Sequence, residues 1–192
     1  MSNKNEFQPD KPRLGILDRL YLTRQQRKVL LKWVLYSLAL LVLSLLQDVI
    51  LCRFHLLGAT TDLIPCAVIL ICLLEGLHSG CVFALCASCL YLFSGTAPGI
   101  YAMVLLTTLA IFATLFRQAY MQKGFWSALV CTIPTVFAYE MLIFICGLFL
   151  KLTLPARFIG FCITTCLTCL TIPVLYPLFL RIASIGGEPW KE

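Results

Sequence analysis

The side chains best able to do chemistry are few and scattered. Cys86 and Cys89, and again Cys166 and Cys169, have the two-residue spacing used for redox exchange or metal binding, because thiolates so placed can share one turn or one ion. Both pairs lie in apolar runs, and only His55 and His78, with few acids, could complete a site. Metal and redox chemistry are accordingly disfavoured, and no cofactor is expected. Glu140 is the most informative acid, since it falls well inside a long apolar segment. An ionised carboxylate there costs at least a few kcal/mol unless it is paired or faces a cavity. Two readings stand: a protonated carboxyl donating to a neighbouring helix, or an acid in a polar pocket. Pro134, six residues earlier, predicts a kink and a freed carbonyl nearby. Asp48, Glu75 and His78 fall at other depths than Glu140. The sequence holds no Ser, His and Asp set with supporting spacing, no GxxxxGK[ST] loop and no HExxH, so no catalytic role is expected.

The elements that must position these groups are membrane helices. Of 192 residues, 60% are apolar and 12% charged, against roughly a quarter charged in soluble domains. The apolar residues come in long blocks, not at amphipathic spacing. Cysteine, eleven in all, falls mostly in these blocks and reads as a small hydrophobe, not a disulfide framework. The expected fold class is an all-α integral membrane protein with about six transmembrane helices, some of them short.

Residues 1–32 read as a basic cytoplasmic tail. Eight Lys and Arg precede Trp33, opposed by Glu6, Asp10 and Asp18, and a basic segment before a first span marks the cytoplasmic side and attracts anionic lipid. Nucleic acid is disfavoured because no nucleic-acid module surrounds these charges. The lead is too long and mixed for a cleavable signal. Residues 1–12 read as a disordered tail, and Leu14 to Lys32 as either an interfacial helix or a solvated basic linker. The six-helix membrane domain occupies 33–181, with a short cytoplasmic C-terminal tail at 182–192.

The predicted spans are Trp33–Leu51, two short helices within Leu63–Gly95 separated near Glu75, Gly76 and His78, then Gly99–Phe116, Phe125–Leu150 and Phe158–Leu180. A turn over Gly95, Pro98 and Gly99 precedes the fourth. Six spans with the N-terminus inside put twelve basic residues inside and Arg53, Lys151 and Arg157 outside; a single span over 63–95 makes the division ten against five. Six is favoured.

Gly76, Gly80, Ala84 and Ser88 recur every fourth residue along the third helix, and small residues at that spacing let helix backbones approach closely. They serve either packing within the chain or an interface with a partner.

Residues 51–117 carry a recognisable order of features: Leu51, Arg53, Phe54, Leu57, Gly58, Asp62 and Leu63; then Gly76 and Gly80; then Leu90, Tyr91, Phe93, Ser94, Gly95, Pro98, Gly99, Tyr101 and Ala102. An RFxLLGxxxDL loop, a glycine-spaced short helix and an LFSGxxxGxYA turn resemble the rod shape-determining protein MreD family over about a third of the chain. Thr61 stands where that family often has Pro, and Leu92 where it has an acidic residue. The resemblance implies a non-enzymatic scaffold or regulator of cell elongation and peptidoglycan synthesis in the bacterial inner membrane. Its implied partners are an MreC-like protein, the actin-like MreB and wall polymerases. It also implies a fold similar to the substrate-binding subunits of energy-coupling-factor vitamin transporters. In that frame the external loop from Arg53 to Asp62 faces MreC. The rival reading is such a vitamin-binding subunit, but Ala39 is the sole alanine of the first span, where those subunits carry an AxxxA-like docking motif.

Overall fold

The computed structural model describes residues 24–49, 51–53, 61–95, 97–122 and 124–185. Within them the chain forms six α-helices: α1 Arg24–Val49, α2 Leu63–Glu75, α3 Leu77–Phe93, α4 Ile100–Tyr120, α5 Phe125–Phe149 and α6 Phe158–Ile185, with 3-10 turns at Leu51–Arg53 and Pro155–Arg157. No strand occurs among the described residues. Helices α1, α4, α5 and α6 are long and apolar enough to cross a membrane, whereas α2 and α3 are shorter apolar helices.

The stretch 63–95 is two helices, broken at Gly76. This residue has φ 84°, a left-handed conformation that a Cβ would penalise. One residue therefore reverses the chain between α2 and α3. The reversal lays α3 against α2 so closely that a Cβ at Gly80 would sit 3.0 Å from the backbone Cα and O of Cys72. The Cys72 thiol donates to the Gly80 carbonyl at 3.1 Å across the same contact.

Helix α2 is the centre of the molecule. All thirteen of its residues, Leu63 to Glu75, are buried. It packs against α3, α4, α5, α6 and α1. Its sequence, LIPCAVILICLLE, is apolar on every side, and a helix without a polar face has to be enclosed. The surrounding helices bury one side each. Helix α1 turns Tyr36, Leu40 and Leu43 inward and leaves Leu38, Leu41, Val42 and Leu45 exposed; α4 buries Ala102, Leu106 and Ala110 and exposes Val104 and Phe112. Such exposed apolar stripes suit a hydrocarbon solvent.

Several boundaries differ from the sequence reading. Helix α1 starts at Arg24, so residues 24–32 continue the first apolar helix instead of forming a separate element, and the 14–23 part of the expected interfacial helix lies outside the described residues, as do residues 1–12. At the other end α6 runs to Ile185, past the expected end at Leu180, and α4 runs to Tyr120. Charged residues do not stop a helix whose backbone bonds are already satisfied. Pro134 lies inside α5, which stays helical on both sides of it.

The α2–α3 contact can be broken by adding atoms at one position. Gly80→Ala is expected to lower the melting temperature of the purified protein, at a cost of about 1–3 kcal/mol for overpacking against immobile backbone. Gly80→Leu is expected to abolish recovery of folded monodisperse protein. An unchanged melting temperature in both variants would refute the close approach.

Candidate functional site

A helix of thirteen residues is about 20 Å long at the 1.5 Å rise per residue, and the helices around α2 reach beyond it. Both its ends therefore lie inside the bundle, and the backbone groups that every helix leaves unpaired at its termini must find partners there. Two polar clusters supply them.

At the N-terminal end, the Asp62 N–H donates to Thr168 Oγ1 of α6 at 3.2 Å. The N–H groups of Leu63 and Ile64 both donate to Oε1 of Gln47 on α1, at 2.9 and 3.4 Å. The next residue, Pro65, has no N–H, and proline is tolerated in a first helical turn for that reason. All four terminal positions are thus accounted for, three by hydrogen bonds and one by proline. Asp62 itself accepts from Gln47 Nε2 at 3.1 Å and from the Tyr91 hydroxyl of α3 at 2.6 Å. Three separate helices are tied to one turn of backbone.

At the C-terminal end, Arg117 of α4 donates to the Leu73 carbonyl at 2.7 Å. The Ser79 hydroxyl donates to the Glu75 carbonyl at 3.2 Å, and the Gly80 N–H to the Gly76 carbonyl at 2.9 Å. The Glu75 carboxylate takes a salt bridge from Lys32 Nζ at 2.6 Å, with the two side chains 2% and 7% exposed, and a hydrogen bond from the Tyr36 hydroxyl at 2.8 Å. Tyr36 stacks obliquely on Trp33, Phe83 and Phe179, so aromatic rings wall this pair.

The small-residue series of α3 is divided between these contacts. Gly76 makes the reversal and Gly80 the approach to α2; Ala84 and Ser88 are fully buried. Ser88 Oγ donates to the Ala84 carbonyl at 2.6 Å and lies 3.2 Å from the Thr107 hydroxyl of α4. The structure turns these four residues toward the chain's own helices.

Glu140 is 5% exposed. Its Oε1 and the hydroxyl of fully buried Tyr139 have no hydrogen-bond partner among the described residues. Asp48, next to Gln47, shares the Asp62 end, while Glu75 sits at the other. Arg53 is exposed on the 3-10 turn after α1, and residues 54–60 of the expected external loop, with His55, lie outside the described residues.

Cys86 and Cys166 are exposed and Cys89 and Cys169 half-buried; the described cysteines are free, and among the described residues no group of His, Cys, Asp and Glu could hold a metal ion. His78 is exposed.

No family model, no curated protein and no solved structure matches this chain. The site must be interpreted from its own geometry.

Sequence reasoning missed the pairing of Lys32 with Glu75, and the parts of Tyr91, Gln47, Tyr139 and Thr168. The buried ion pair is directly testable. Removing one partner, as in Lys32→Met or Glu75→Leu, is expected to cost about 3–5 kcal/mol by leaving a lone buried charge. The double variant K32M/E75L should recover most of that loss in thermal melts. A double variant no more stable than the worse single would contradict the pairing.

Proposed function

We propose that this protein is a non-enzymatic membrane scaffold or regulator of the bacterial cell-elongation complex, acting in cell shape and peptidoglycan synthesis. The observation that carries the reading is the fate of the residues on which the resemblance to the MreD family rests. Asp62 and Tyr91, 29 positions apart, meet at 2.6 Å. Gly76 supplies the left-handed turn and Gly80 a close approach of α3 to α2. Gly99 lies against the ring of Tyr101, whose edge would meet a Cβ there at 2.6 Å. Each of these pattern positions has a physical reason to hold its residue type, and Asp62, Tyr91, Gly76 and Gly80 hold the two ends and one side of the enclosed helix. A pattern of that kind describes a fold, not an assortment of surface residues.

The distribution of polar groups fits the same reading. Lys32, Glu75, Arg117, Gln47, Asp62 and Tyr91 are engaged in holding helix ends, which is the work of a rigid framework. Partners of such a framework dock on its outer faces and tails. We infer the bacterial inner membrane as its location, with six passes and both termini cytoplasmic, which puts the Glu75 end inside and the Asp62 end outside. The basic N-terminal segment then faces the actin-like filament MreB. Arg53 and the loop up to Asp62 face an MreC-like protein and the wall polymerases.

Two measurements test this. In-cell crosslinking, gentle detergent extraction and mass spectrometry should recover an MreC-like protein, the actin-like filament protein or wall polymerases; recovery of an ATPase pair with a coupling membrane protein would make the chain a transporter subunit instead. Alkaline phosphatase fused after Lys151 should be active in a bacterial host and after Gln122 inactive. The reverse pattern would overturn the orientation.

A further inference from the structure

The first half of α6 carries an open groove on its outer face. It encloses about 530 Å³ and is lined by Phe158, Cys162, Ile163, Cys166, Leu167 and Leu170, with no charged or hydroxyl side chain among its lining residues. Phe158 is fixed at one end of it by a ring contact with Phe144 of α5, centroids 5.6 Å apart. From Phe158 to Leu170 the helix rises about 18 Å, close to the half-thickness of a bilayer hydrocarbon core, roughly 15 Å. Spread over that length, the volume corresponds to a channel about 6 Å across, narrower than the roughly 10–12 Å of a helix with its side chains. A helix of another protein does not fit into such a channel, whereas a single hydrocarbon chain of one leaflet does.

Cations stand at the mouth. Arg157 directly precedes Phe158 in the 3-10 turn, and Lys151 lies in the same α5–α6 connection; both are exposed, and neither is in an ion pair among the described residues. The sequence has no Asp or Glu between Glu140 and Glu188. Asp62 meets α6 at Thr168, through its backbone N–H, about 16 Å along the helix from Arg157, and its carboxylate is engaged by Tyr91 and Gln47. The connection itself is held in shape, since the N–H groups of Leu152 and Thr153 both donate to the Gly147 carbonyl, at 2.9 and 3.2 Å. It exposes Leu152 and Leu154 between the two cations, a mixture that suits the boundary between headgroups and acyl chains.

We propose that this groove binds an acyl chain of an anionic phospholipid whose phosphate is held by Arg157, with Lys151 supplying a second positive charge. The lipid belongs to the leaflet on the side of the α5–α6 connection, whichever way the protein is oriented. A guanidinium can give two parallel N–H donors to phosphate oxygens, and a lysine acts beside it as a point charge. A zwitterionic lipid offers the same acyl chain, but its own ammonium offsets the attraction. Selectivity for the headgroup therefore resides in the two cations, and retention of the chain in the groove.

The test uses the full chain, exchanged into equal amounts of palmitoyl-oleoyl phosphatidylglycerol and phosphatidylcholine and examined by native mass spectrometry. Wild type is expected to retain phosphatidylglycerol with a preference of about twentyfold, and Arg157→Gln and Lys151→Gln each to lower that preference about fivefold. The double variant K151Q/R157Q should treat the two lipids alike. Cys166→Trp, which puts an indole into the groove, should reduce retention of both. Equal retention by wild type, or a double variant with the wild-type preference, overturns the proposal. So does recovery of lipid-free dimers that C166W dissociates, which would give the groove to a second copy of the chain. Should C166W not fold, wild-type protein photolabelled with a phosphatidylglycerol carrying a mid-chain diazirine decides: adducts on residues 158–170 support the site, and their absence from that segment overturns it.

Discussion

A short helix sealed inside a ring of longer ones cannot leave any backbone group unpaired, and that constraint organises the rest of this molecule. Water satisfies helix ends in soluble proteins, but both terminal residues of α2, Leu63 and Glu75, are buried among the other helices. An unsatisfied N–H or C=O in such a place costs several kcal/mol. The demand is met by side chains from every direction: Gln47 from α1, Thr168 from α6, Arg117 from α4, and the first residues of α3 itself. The neighbouring helices are therefore held in position and register by the ends of one thirteen-residue segment. Lipid offers no hydrophobic drive to bring helices together. Directional bonds at two levels supply the specificity that apolar packing lacks.

The two ends solve unequal electrostatic problems. Asp62 is a negative group at the positive pole of α2 and needs only orientation, which Tyr91 and Gln47 provide. Glu75 is a negative group at the negative pole, an arrangement that the dipole opposes. A full counter-charge is required there, and Lys32 reaches in from α1 to provide it, with Tyr36 fixing the second oxygen. This explains why a lysine in what resembles a solvated basic segment is withdrawn from solvent, and why α1 is helical so far upstream of its apolar run.

How much of this was legible depended on distance along the chain. The break at Gly76 and the presence of two short helices follow from local composition, as do the long apolar helices. That α2 is enclosed could also have been read from its lack of a polar face. Long-range pairings leave no such local trace. Lys32 and Glu75 are 43 positions apart, and the lysine's sequence neighbours are other cations, so it was grouped with them. Gln47 sits near the end of an apolar helix, where a polar residue suits an interface equally well; its service to Leu63 and Ile64 appears only once α1 and α2 are side by side. Tyr91 belonged to a family-like pattern without a role, and Asp62 supplied one. Glu140 was conspicuous alone in its apolar run, and what the structure adds is that it is buried among the helices.

The small-residue series shows why pattern and interface should be separated. Gly80, Ala84 and Ser88 have the spacing of a helix-dimer face, yet that face meets α2 and α4 of the same chain. A face on which α2 leaves no room even for a Cβ at Gly80 is not free for another helix. What is left for a partner is the outer surface, and it is chemically plain: aliphatic and aromatic side chains on α1, α4, α5 and α6, among them Val34, Leu38, Phe112, Trp126 and Val174. Plain surfaces discriminate poorly among partners in lipid, since the alternative to a helix contact is an equally apolar acyl chain. Under the proposed scaffold role, selectivity for a partner is assigned to the polar segments at the two ends, the basic residues leading into α1 and the loop around Arg53.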